Sequence, residues 1–149
     1  MTKEVIIKIK GLQFAEDTDE EEMEVLTAGI YYEKEGRNYV KYDEVMEGFT
    51  GEINNLLKFT DNSVEVTKKG ITNVHMVFEE GKKNMTYYDT PFGNFLLGIS
   101  ATDIRILKEE EEIRIHIEYA LEINNQYMAD CTIDIVIQSK DKKETRLLS

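Results

Sequence analysis

Between Ile113 and Ile123 the chain alternates between apolar and polar side chains. Ile113, Ile115, Ile117, Tyr119, Leu121 and Ile123 hold the odd positions; Arg114, His116, Glu118, Ala120 and Glu122 hold the even ones. A helix would scatter this pattern around its circumference, whereas a strand sorts it onto one dry face and one wet face. The next segment repeats it, with Ala129, Cys131, Ile133, Ile135 and Ile137 set against Asp130, Thr132, Asp134 and Val136. Asn124-Asn125 joins the two runs, and Asn tolerates the positive φ that a tight hairpin turn demands.

The same pattern recurs upstream. Val5, Ile7 and Ile9 open a first strand, and Met23 to Glu33 and Asn38 to Glu44 flank a turn at Glu35-Gly36. Leu56 to Thr60 and Val64 to Thr67 flank Asp61-Asn62, and shorter apolar runs cover Val74–Phe78, Met85–Thr90, Phe95–Ile99 and Ile104–Leu107. The count is about ten short strands, the spacing of an all-β sandwich or barrel. Short connections favour an antiparallel meander. Val45, Phe49, Ile53, Leu56 and Leu57 fall near helical spacing, but Gly48 and Gly51 interrupt them. Each Gly costs about 1 kcal/mol in a helix, so a loop with at most one helical turn is expected there.

An open antiparallel sheet leaves two edges exposed, and closing it removes them. Eight to ten strands suffice for a barrel that is either just filled or holds one small ligand. The whole chain, 1–149, suits a single barrel domain with its core over about 3–138. Residues 139–149 read as a charged C-terminal tail.

Thirty acidic and eighteen basic side chains give a net charge of −12. Such a surface repels nucleic acid and anionic lipid, so neither is expected as a partner. The start of the chain has lysines inside its apolar stretch, and no long apolar run follows. A signal peptide and a transmembrane helix are therefore not expected, and the reading is cytoplasmic. One cysteine and two histidines supply no Cys/His zinc framework, so no metal and no cofactor are expected. The run Glu16–Glu22 has oxygen ligands for a hard cation but lacks the spacing of a calcium loop. A solvated connection is the plainer reading.

His75 and His116 lie on the polar parity of their strands, where a wet sheet face accounts for both. A His/Glu acid–base pair is the sharper alternative, yet no nucleophile stands beside either ring. Cys131 lies on the apolar parity, as a buried, unreactive thiol would. No catalytic residue is assigned, and the chain is not expected to be an enzyme. The excess of tyrosine is more informative. Tyr32, Tyr42 and Tyr88 are assigned to the inner face, on parity with Ile30, Val40 and Thr86, and Glu44 shares the parity of Tyr42. An apolar wall with a few polar groups near its mouth is how small-molecule sites are built. Met76, Phe78 and Phe95 complete the expected lining, and Phe92 is expected to cap one end.

Phe78-Glu-Glu-Gly81 followed by Tyr88-Asp-Thr-Pro-Phe-Gly93 resembles the central motif of the YwiB-like family of uncharacterised bacterial proteins. Gly29-Ile-Tyr-Tyr-Glu33 and Tyr119-Ala-Leu-Glu-Ile-Asn124-Asn125-Gln-Tyr127 are also similar to that family. The resemblance runs from Val5 to about Gln138 and implies a calycin-like, that is lipocalin-like, barrel. It brings no activity and no catalytic residues. The expected function is binding of a small apolar or amphipathic ligand inside the barrel. The alternative is a non-enzymatic interaction or regulatory module with a filled core. The partner is thus an unidentified small molecule or protein, and an edge exposed by imperfect closure leaves room for a homodimer.

Overall fold

The structure is a computed structural model, described here for residues 1, 3–11, 24–46 and 48–140. The acidic run 16–22 and the tail beyond residue 140 lie outside the described residues. Ten strands follow one another: β1 (Glu4–Lys10), β2 (Glu24–Lys34), β3 (Arg37–Glu44), β4 (Ile53–Phe59), β5 (Ser63–Gly70), β6 (Val74–Glu79), β7 (Lys83–Thr90), β8 (Gly93–Lys108), β9 (Glu112–Ile123) and β10 (Gln126–Ser139). No helix among the described residues is long and apolar enough to cross a membrane.

Every pairing is antiparallel, and each strand lies beside its neighbours in sequence. The exception joins the two ends of the meander. β1 runs against β10 from Val5↔Ser139 to Lys10↔Asp134, which bends the sheet into a barrel. The remaining edges, β6 and β7, meet across a seam. There Asn73 and Asp89 exchange backbone hydrogen bonds of 2.9 Å in a single bridge. Asn84 Nδ2 also reaches the carbonyl of Val77 at 3.2 Å. The barrel is therefore nearly closed, with one lightly stitched line in its wall. The motif Tyr88–Gly93 lies along that line.

The period-two reading holds in the last hairpin. Ile113, Ile115, Ile117, Ile133, Ile135 and Ile137 are all buried in one core cluster with Val5, Ile7 and Ile9. The hairpin turns also follow the sequence: Asn124 and Asn125 have φ of 51° and 68°, and Glu35 and Gly36 have 52° and 76°. Left-handed pairs of this kind match the twist of the flanking strands. Gly70 has a different reason to be glycine. Its φ is 132°, and a Cβ there would run into the backbone carbonyl of Glu52.

Two expectations change. The runs Phe95–Ile99 and Ile104–Leu107 are one strand, β8, rather than two. Its register slips by one residue between Ala101 and Asp103. The extra residue, Thr102, turns outward and donates to the carbonyl of Glu118 at 3.2 Å. Before it the odd residues Leu97, Ile99 and Ala101 face inward, and after it Ile104 and Ile106 do. A β-bulge shifts alternation in this way, and in sequence the shift resembles a strand boundary. The charged tail also starts later than 139. Gln138 and Ser139 are buried in β10, against the start of β1 and beside Glu111–Glu112.

Ile117 is fully buried, whereas Leu107 is 57% exposed. Truncation of Ile117 to Ala should cost about 2–5 kcal/mol from lost transfer energy and the cavity left behind. Leu107→Ala should stay within about 0.5 kcal/mol of wild type. Urea unfolding of the two variants checks the difference.

Candidate functional site

The barrel has two rims. One carries the turns at Glu35-Gly36 and Asp61-Asn62; the other carries the turns at Pro91-Phe92 and Asn124-Asn125. Between them the inner wall is apolar and closely packed. Met76 and Phe78 are both fully buried, and the ring of Phe78 meets that of Tyr119 edge-on at 5.2 Å across the interior. These two expected lining residues therefore face the interior as part of the core cluster.

Near the Asn124 rim the inner wall turns polar. Tyr42, Asn55 and Lys68 are cross-strand partners on β3, β4 and β5, which puts them in one row on one face. Lys68 Nζ donates to Glu44 Oε1 at 2.6 Å and to Asn55 Oδ1 at 2.8 Å. The side chains of Lys68 and Glu44 are only 8% and 14% exposed. Val74 is the partner of Lys68 on β6, and Tyr88 lies one residue from the bridge across the seam. Tyr88 in turn opposes Phe95 on β8, and both are half-buried against the core. Burial, and then the charge of Glu44, push the phenol of Tyr42 well above the usual tyrosine range and raise that of Tyr88 as well. Ionising either would place a second anion in a dry site.

Tyr42, Glu44, Tyr88 and Phe95 thus come together as the sequence suggests. Lys68 and Asn55 join them, although the sequence reading passed over both. The signal was present: each sits on the apolar parity of its strand, Lys68 after Val64 and Val66, and Asn55 between Ile53 and Leu57.

Tyr32 and Phe92 do not join them. Tyr32 points out, stacked on Tyr39 at 4.8 Å, with Lys41 Nζ 5.6 Å from its ring centre. Tyr31 takes the inner position because the two-residue turn pairs it with Val40. Ile30, which suggested the other parity, is 37% exposed, and Leu26 on the same parity is 53% exposed. Phe92 is 73% exposed and sits edge-on to Phe49 at 5.8 Å. It occupies the tip of a two-residue loop, beyond the last strand pair Thr90↔Gly93, where there is no inner face to cap. Thr90 Oγ1 fixes that loop, accepting from the amide of Phe92 at 3.0 Å and donating to the carbonyl of Gly93 at 2.9 Å.

At the opposite rim the hydroxyl of Tyr31 donates to Asn38 Oδ1 at 2.7 Å, and Lys108 Nζ donates to Glu33 and Asn38 at 3.1 and 3.0 Å. The bond from Lys108 holds the carboxyl of Glu33 below its usual range. Lys108 thereby ties the end of β8 to the β2–β3 hairpin.

Both histidines are on the outer face. His75 pairs with Glu65 at 2.9 Å. His116 lies between Asp134, 2.6 Å from Nδ1, and Glu118, 3.0 Å from Nε2, and these bonds raise its pKa above the ordinary histidine value. An open trough of about 450 Å³ beside it is walled by Lys8, Lys10, Arg105, Arg114 and Asp134. Cys131 is half-buried opposite Tyr119, and burial raises its thiol pKa.

Removing one member of the Lys68–Glu44 pair leaves the other charged and dry. Lys68→Met and Glu44→Gln should each destabilise the barrel by about 3 kcal/mol. The double variant Glu44→Leu/Lys68→Met should return to within about 1 kcal/mol of wild type. Chemical denaturation of all three, read as a double-mutant cycle, checks this.

Comparison with known proteins agrees with this architecture. Over 111 residues the chain is 28% identical to the uncharacterised β-barrel protein YwiB of Bacillus subtilis (strain 168), covering 74% of this chain and 77% of that protein. The crystal structure of the ywiB protein from Bacillus subtilis superposes with a TM-score of 0.75 at 22% identity, covering 92% of each chain. The sequence model of a domain of unknown function, DUF1934, matches residues 7–135, and the chain belongs to that family of β-barrel proteins.

Proposed function

We propose that the protein is a non-catalytic binding barrel that takes a small amphipathic molecule at its Asn124 rim, beside the β6–β7 seam. The polar end of the ligand would meet Lys68, Asn55 and Tyr42, and its apolar part would lie against Val74, Tyr88 and Phe95. The buried Lys68–Glu44 pair carries this reading. A buried ion pair adds little net stability compared with apolar residues of the same size. Its presence on the inner wall of a largely apolar barrel fits a role in recognition. Affinity would come from apolar burial at about 25 cal/mol per Å², and orientation from one or two hydrogen bonds.

A second reading is an interaction or regulatory module with a filled core that works through its outer surface. The Phe78–Tyr119 contact supports it, since two large rings occupy part of the interior. In either case the charge of −12 argues against nucleic acid as the partner. Both imidazoles lie on the outer face, whereas Cys131 is on the inner parity, which supports a non-enzymatic role.

An anionic amphipathic fluorophore separates the two readings. Anilinonaphthalene sulfonate should bind the folded protein with saturable, one-to-one fluorescence enhancement. Lys68→Met should weaken it at least tenfold, and Val74→Trp, which fills the mouth, should abolish it. No saturable binding to the folded protein, together with native mass spectra free of any co-purified small molecule, would leave the filled-core module as the reading.

A further inference from the structure

The outer face of β8, β9 and β10 brings together groups that the barrel does not need for closure. His116 and Glu118 are two residues apart on β9 and share its wet face. Asp103 reaches the same face of β8 because the bulge at Thr102 reverses its parity, and it is the cross-strand partner of Glu118. One ligand atom from each of Asp103, His116 and Glu118 lies within 4.8 Å of the other two. Asp134, on β10, accepts from Nδ1 of His116 at 2.6 Å. That bond fixes the ring and its tautomer, and so turns Nε2 toward the two carboxylates.

A ring nitrogen and two carboxylates that face one point form a donor set for a positive centre, a place that the Nε2 proton and Arg105 fill in the metal-free protein. We propose that this site takes a divalent transition-metal ion such as Zn²⁺, held by Asp103, His116 and Glu118. Binding displaces the proton on Nε2 to solvent, and a fourth ligand comes from water. Four ligands at about 2.0 Å from a tetrahedral ion lie about 3.3 Å apart. Nε2 and the Glu118 oxygen, at 3.0 Å, are already near that spacing. Asp134 then supplies the carboxylate that orients a metal-binding imidazole through its other nitrogen. An imidazole among the ligands favours zinc, cobalt or nickel over calcium and magnesium, which prefer all-oxygen shells. Arg105 Nε now lies 2.8 Å from Asp103 Oδ2, on a side chain 74% exposed and free to swing into solvent.

The test is calorimetric titration of the untagged, full-length, EDTA-treated protein with Zn²⁺, alongside Co²⁺ followed by visible absorption. One equivalent should bind. His116→Gln, Asp103→Asn and Glu118→Gln should each lower affinity at least tenfold, with far-UV circular dichroism unchanged. His75→Gln, which removes the other outward imidazole, should leave binding as it was. An absence of zinc binding would overturn the proposal. So would affinity that survives any of the three ligand substitutions, as it would if carboxylates elsewhere held the ion.

Discussion

The antiparallel joint between β1 and β10 governs the rest of the molecule. Without it the strands would fall into two open sheets, β1–β6 and β7–β10, with hydrogen-bonding groups bare along their edges. With it the two join and curl, and Val5, Ile7 and Ile9 find Ile133, Ile135 and Ile137 on their own inner face. The joint links opposite ends of the chain, so the entropy of closing a very large loop must be overcome before those contacts form. The apolar parity of β9 and β10 is the strongest in the sequence, and it lies next to that costly contact.

Closure at β1–β10 also decides where the wall is thinnest. A meander sealed there leaves its two innermost strands, β6 and β7, to meet as best they can. They do so through one backbone bridge and the side chain of Asn84. The polar row Tyr42–Asn55–Lys68 ends beside this seam. The inner groups with most chemistry and the weakest line of the wall are therefore neighbours.

How far the sequence could be read depended on whether alternation stayed in phase. It did in β9 and β10, and the inner residues there follow directly from parity. In β2 the apolar residue Ile30 sits on the outer face, so hydrophobicity pointed to Tyr32 while the hairpin register selects Tyr31. Turn length decided the face there, and side-chain polarity did not. In β8 the bulge divided one strand into two apparent ones. Of the candidate site, Tyr42, Glu44, Tyr88 and Phe95 were legible because their parity was plain. Lys68 and Asn55 were hidden by the assumption that a charged or amide side chain faces water. The His116 cluster was hidden for a different reason: its third member reaches the outer face only through the bulge.

Thr102 has a genetic consequence. As the surplus residue of the bulge it is the one place in β8 where a codon can be lost without turning any side chain over: Ala101 would stay inward, Asp103 outward and Ile104 inward, now in plain alternation. Losing Ile104 instead would carry Arg105 into the oily interior and push Ile106 into water. Length variation should therefore be tolerated at residue 102 and purged at the positions that follow it.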